Sequence, residues 1–279
     1  MEPLYARENT EPAYQLNWSL SVFWRDAAPD EAEWLDSLRA ATEPDGIRVL
    51  EHRFSDDRTS QFLLSSKPAI SPARLLRSLK GRLQYLVREA IPKAFRRNYS
   101  LRSVGTAKRG VVEEYIAVQT GHHPMADERV QARLSQHQRE SPGVDLSIPR
   151  RSAHGQYWYN LHVVLANEGR WMEIEDETLR RLGAVVDRAA DKHGHALSRM
   201  AILPDHIHLA LGCPEEQSPE EIALGYMNNC AHACGMKPVL QHSYYVGTFG
   251  EYDLGAVWQA LAHPPTQAGR RREGRDAAP

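Results

Sequence analysis

The 279-residue chain repeats itself. "YQLNWSLSVFW" (14–24) and "YWYNLHVVLAN" (157–167) are both aromatic and β-branched, as strands are. Each leads to an acidic opening and an amphipathic helix, "DEAEWLDSLRAAT" in the front half and "EDETLRRLGAVVDRAADKHG" in the rear, then to a strand pair. "AISPARLLRSLKGRLQYLVREA" and "EQSPEEIALGYMNNCAHACG" follow, each with Ser-Pro as N-cap and first-turn residue of a helix. "NYSLRSVG" (98–105) then matches "SYYVGTFG" (243–250), setting Tyr99 against Tyr244 and Gly105 against Gly250, and a short apolar helix closes each half. The unit recurs after about 145 residues, which means two copies of one domain and not a solenoid. Strands and helices mix without regular alternation, so each copy is expected to be a small α+β sandwich. The expected division is an N-terminal extension (1–13), a front domain (14–121), a polar linker (122–155) whose middle could form a short exposed helix, a rear domain (156–263) and a disordered basic tail (264–279).

Composition narrows the function. Apolar residues make up 42% and charged residues 25%, the balance of a soluble globular protein. The formal net charge of −2 excludes a generic polyanion binder, so any nucleic-acid surface has to be local. Three cysteines form no disulfide framework, no segment approaches 18 apolar residues, and the N-terminus lacks a basic-then-apolar pattern. The expectation is a cytoplasmic protein without a membrane partner. In "NNCAHACG", Cys230 and Cys234 share a helical face with His232 nearly opposite, so one metal cannot take all three. "KHGHAL", with His193 and His195, reads as a helix cap and turn, and His122 and His123 as loop residues.

"AILPDHIHLAL" (201–211) is different. On a strand His206 and His208 point to one face and Ile207 to the other. Two neutral imidazoles side by side can bind a divalent metal, or each can be a hydrogen-bonded core histidine. The front copy, "RTSQFLLSSKP", sets Ser60–Leu63 opposite them, within a residue, and holds no histidine. Conversely, the front copy has "GVVEEYIAVQ", with Tyr115 and Gln119 one turn apart on a helical face. Counting from Gly105 and Gly250 puts Ala260 opposite Tyr115 and Pro264 opposite Gln119. Each half keeps what the other lacks, which points to one composite site.

These stretches together resemble the IS200/IS605-type single-tyrosine transposases of the HUH endonuclease superfamily and their REP-associated relatives. "SLKGRLQYL", "NYSLRSVG" and "EEYIAVQ" in the front half and "LPDHIHLAL" in the rear carry the likeness, which spans roughly 14–120 and 157–263. The departure is the fusion, with one His pair and one tyrosine lost. The resemblance implies two tandem ferredoxin-like sandwiches forming an intramolecular pseudo-dimer, with Tyr115 and Gln119 meeting His206 and His208 across a pseudo-twofold and a dead opposite site near Gln61 and Ala260. It implies Tyr115 as nucleophile, Mg²⁺ or Mn²⁺ held by His206, His208 and Gln119, a 5′-phosphotyrosine link, and single-stranded or hairpin DNA as substrate. Asp205 either orients an imidazole or is simply the turn residue of its Pro-Asp pair.

The DNA surface is expected on the front half, whose helix carries Arg74, Arg77, Lys80, Arg82 and Arg88, followed by Lys93, Arg96 and Arg97. The matching rear helix opens with Glu215, Glu216, Glu220 and Glu221. One tyrosine per chain holds one DNA end, so the chain acts alone as a pseudo-dimer or pairs with a second copy. The rival reading is a non-catalytic DNA-hairpin-binding protein of the same fold. RNA binding is a third.

Overall fold

The computed structural model describes residues 3–122 and 124–262. The expected tail, Pro264 and His123 lie outside the described residues. The front half runs β1 (Glu11–Gln15), β2 (Asn17–Trp24), α1 (Leu35–Thr42), β3 (Ile47–Asp56), β4 (Thr59–Ser66), α2 (Pro72–Val87), β5 (Phe95–Val104) and α3 (Arg109–Ala117). A joining stretch holds α4 (Gln119–His122), α5 (Glu128–Gln136), β6 (Arg139–Glu140) and β7 (Arg150–Arg151). The rear half runs β8 (Gly155–Trp158), β9 (Asn160–Ala166), α6 (Asp176–His193), β10 (Ala196–Ile202), β11 (His206–Gly212), α7 (Pro219–Ala233), β12 (Ser243–Phe249) and α8 (Leu254–Ala262). The fold is α+β with two mixed six-stranded sheets, ordered β3-β4-β2-β5-β8-β7 and β6-β10-β11-β9-β12-β1. The four antiparallel strands of each half thus stand in the same order: strand pair, leading strand, closing strand.

The leading strands differ from the sequence expectation. Each of the stretches 14–24 and 157–167 reads as one strand, yet each is divided between the two sheets. β1 pairs in parallel with β12 of the rear sheet, and β2 is central in the front sheet. Reciprocally, β8 pairs in parallel with β5, and β9 is central in the rear sheet. The joining stretch is likewise woven in, β6 against β10 and β7 against β8, and α5 buries Leu134. Pattern alone cannot show this division, because both pieces of each stretch keep strand character.

Two hydroxyls hold the crossing. The Asn17 N–H donates to Thr248 Oγ1 at 2.8 Å, and that hydroxyl donates to the Val104 carbonyl at 2.6 Å. In mirror fashion the Asn160 N–H donates to Ser103 Oγ at 3.0 Å, and Ser103 donates to the Phe249 carbonyl at 2.6 Å. Two residues on, a Cβ at Gly105 would lie 2.2 Å from the Thr248 carbonyl oxygen, and one at Gly250 would lie 2.3 Å from that of Ser103. Only glycine permits this backbone approach. Past the crossing, the Arg109 N–H donates to the Gly250 carbonyl and the Leu254 N–H to that of Gly105. Each closing helix is thereby delivered to the other half's sheet, α3 onto β10 and β11, α8 onto β3 and β4.

The two faces of each sheet are used differently. Met200, Ile202, Ile207, Leu209 and Leu211 enter the main core, which runs continuously through both halves and includes the Trp18–Tyr159 ring contact. Ala201, Leu203 and Ala210 point the other way and receive α3. No helix among the described residues is long and apolar enough to cross a membrane.

Candidate active site

The side chain after Tyr115 fixes the site. Ile116 is buried against Leu146, Ala201, Leu203, Ala210 and Phe249, a contact worth about 1.5–3 kcal/mol for an aliphatic side chain. The small Ala201 and Ala210 admit the helix close to the sheet. Tyr115, half exposed, then sits over the histidine strand, its ring 5.6 Å from that of His208 and nearly perpendicular to it. His206 and His208 share one face as their spacing predicts, with ring centroids 4.7 Å apart, and both are buried.

The supporting hydrogen bonds orient these groups. His206 Nδ1 lies 2.6 Å from Asp205 Oδ1, and Arg170 reaches the other carboxylate oxygen at 3.2 Å. Burial works against the Asp205 charge, but the His206 bond and the neighbouring cations outweigh it and lower the carboxyl pKa. Asp205 thus stands at the turn and also hydrogen-bonds the His206 ring. His208 Nδ1 lies 2.9 Å from Nε2 of His162, with the two rings stacked. Desolvation pulls His162 down to about 4, so it is neutral at ordinary pH. Sequence reasoning missed His162. Its signal was faint, a single ionisable residue in the apolar "NLHVVLA". Only the pairing of Val164 with His208 and of His162 with Ala210 shows that it flanks the pair on the same face.

Gln119 departs from expectation in one respect. The helix ends at Ala117 and Val118 caps it with φ −96° and ψ 7°, so Gln119 opens the separate turn α4. The amide still returns to the tyrosine, donating from Nε2 to the Tyr115 carbonyl at 3.0 Å. Its Oε1 is buried with no hydrogen-bond partner among the described residues. No group of three or more His, Cys, Asp or Glu among the described residues forms a metal site, so the expected ligand set depends on this amide oxygen. An amide oxygen is a ligand type that suits a hard divalent ion. Tyr115, His162 and Tyr245 line a cleft of about 270 Å³. His122 also lies near, its ring 6.4 Å from Tyr115.

The opposite position is resolved by register. Ser21 pairs with Gln61 as Val164 pairs with His208, so Gln61 stands where His208 does and Thr59 where His206 does, one residue earlier than the sequence alignment. α3 and α8 start four residues beyond the bridged Gly105 and Gly250, which puts Ala260 at the Tyr115 position as counted.

The basic helix is not one uniform surface. Arg74, Arg77 and Arg82 line a shallow depression with Tyr85, and Arg88 stacks on Tyr85 at 3.9 Å. Arg82 is forked on Asp45 at 3.0 and 3.1 Å. Lys80 faces elsewhere and donates to the Arg96 carbonyl at 2.8 Å, stapling α2 to β5; Arg96 and Arg97 are exposed on that strand. His195 bonds Tyr226 and Gln217, and Gly194 caps α6 in the left-handed region.

Residues 156–259 match the family model described as IS200-like transposase. The match takes in His162, Asp205, His206 and His208, whereas Tyr115 and Gln119 lie outside it. Among solved structures, a REP-associated tyrosine transposase bound to a REP hairpin is similar at 13% identity and a TM-score of 0.31, over 37% of this chain. The chain spans 62% of the length of that protein. A protein described as a transposase from Deinococcus radiodurans R1 is similar at 19% identity and a TM-score of 0.33, over 40% of this chain and 96% of its own. No curated protein matches the chain.

Proposed function

We propose that the chain is a fused pseudo-dimer of two IS200-like domains that nicks and rejoins single-stranded or hairpin DNA at one composite site. The observation that carries this reading is the delivery of Tyr115 from the front half onto the His206–His208 strand of the rear half. Tyr115 Oη attacks the scissile phosphorus, the phenolic proton is lost, and the P–O3′ bond breaks to leave a 5′-phosphotyrosine and a free 3′-hydroxyl. The link conserves the bond energy, so the reverse attack rejoins strands without ATP. His206, His208 and Gln119 would hold Mg²⁺ or Mn²⁺, which supplies charge neutralisation at the phosphate. Asp205 and His162 keep the two imidazoles oriented. The Arg74–Arg77–Arg82 face, with Arg88, offers phosphate contacts for a hairpin stem.

The test is incubation of labelled single-stranded and hairpin DNA with the protein and Mn²⁺, followed by denaturing electrophoresis and peptide mapping. A covalent adduct on Tyr115 supports the reading. Hairpin binding without any adduct favours the non-catalytic rival.

A further inference from the structure

The dead position is not filled in. The face of the front sheet under α8 holds a cleft of about 320 Å³, lined by Ser19, Ser21, Gln61, Ser100, Arg102 and Ala260 among others. Strand register relates it to the Tyr115 cleft position by position. Ser19 stands where His162 does, Ser100 where Tyr245 does, and Ala260 where Tyr115 does. Every ring of the catalytic arrangement is exchanged for a small or polar side chain, which opens the space. Other exchanges run the opposite way, Tyr252 for Ala107 among them. Arg102 pairs with Ser19 as Gly247 pairs with His162, so a guanidinium stands where the rear half has only a glycine.

That guanidinium lies over an indole ring. It stacks on Trp158 at 4.1 Å, with Tyr252 at 5.9 Å, and among the described residues it forms no salt bridge. Glu251, the acidic residue on the cleft wall, is bonded to Arg109 instead. A preorganised, unpaired fork is suited to a phosphate, and the exposed Tyr252 ring offers a face for a base. No imidazole stands at these positions, and Arg102 puts a positive charge beside the cleft without a metal.

We propose that this cleft is a metal-independent subsite that grips an uncut segment of single-stranded DNA, a phosphodiester on Arg102 and a base on Tyr252. The proposal rests on the DNA-processing reading for its choice of ligand, but not on Tyr115 chemistry. A chain with one nucleophile could then hold a second DNA segment while cutting the first.

The test uses the full chain, a fluorescent single-stranded oligonucleotide carrying 5-bromouracil, and EDTA throughout. Fluorescence anisotropy should show R102A and Y252A each weakening binding by roughly five- to tenfold. Photocrosslinking should label peptides containing Trp158 or Tyr252. Tyr252 is exposed, so Y252A reports on the subsite even where R102A disturbs the Trp158 stack. Wild-type affinity in Y252A together with crosslinks confined to the Tyr115 cleft overturns the proposal. The Mn²⁺ adduct assay separates the two readings: crosslinks at Tyr252 with no Tyr115 adduct leave the subsite standing and remove the nuclease.

Discussion

The two clefts come from one plan and have opposite chemistry. Under α3, two buried imidazoles, a third beside them and a phenol converge. Under α8, glutamine, threonine and serines occupy the same register, the phenol is an alanine, and a stacked arginine supplies the charge. The scaffold around them is held in common: the same hydroxyl pair, the same two glycines and the same reciprocal exchange of leading strands and closing helices. Backbone crossing and site chemistry are therefore separable. The first needs both copies intact, because each half completes the other. The second needs one competent set, because each site draws its helix from one half and its strand from the other.

The comparison can be broken most sharply at the nucleophile. Tyr115→Phe should reduce covalent DNA attachment in Mn²⁺ by ~10³-fold or more, read on a denaturing gel. Adding Ala260→Tyr to that variant should restore nothing, since Thr59 and Gln61 cannot replace the imidazoles. Recovery of adduct on the new tyrosine would sink the division into live and dead clefts.

The shared scaffold should fail equally from either side. Gly105→Ala and Gly250→Ala each force a Cβ against an opposing carbonyl and should cost ~3 kcal/mol or more, seen as similar drops in thermal midpoint. A large inequality would show that one crossing strand dominates.

A smaller effect sharpens the role of Asp205. Asp205→Asn keeps its shape but weakens its hold on His206, and should lower Mn²⁺ affinity by roughly 10- to 100-fold, measured by metal titration of the adduct reaction. Binding of single strands in EDTA should not change, which distinguishes this from a folding defect.

The smallest prediction concerns acid stability. Register sets His52 of the front core against Met200 of the rear. Desolvation lowers the His52 pKa, although its bond to Glu31 pulls the other way. The unfolded chain takes up a proton below its ordinary value near 6.5 while the folded chain resists it, so stability falls as pH drops through that region. His52→Met should flatten this part of the pH–stability curve, measured by denaturant unfolding between neutral and mildly acidic pH. An unchanged slope would assign the acid sensitivity to other groups, with half-buried His195 the next to test.

Much of this was legible in the letters because it depends on local spacing. Alternation put His206 and His208 on one face, Ser-Pro marked the starts of α2 and α7, and counting from Gly105 and Gly250 found Ala260 opposite Tyr115. What stayed hidden depends on partners far along the chain. His162 is one more residue of an apolar strand until β9 lies beside β11. Arg102 looks like any strand cation until Trp158 crosses from the rear half to stack on it.

The sequence alone determined that two stretches of similar α+β pattern are present, one carrying Tyr115 and Gln119 and the other His206 and His208. Only the tertiary structure decided that Tyr115 of the front half meets His208 of the rear. The physical reason is the close backbone crossing at Gly105 and Gly250, where hydrogen bonds reach into the opposite half and carry each closing helix over its partner's sheet. No local pattern encodes that passage, because both sides of the crossing read as ordinary strand.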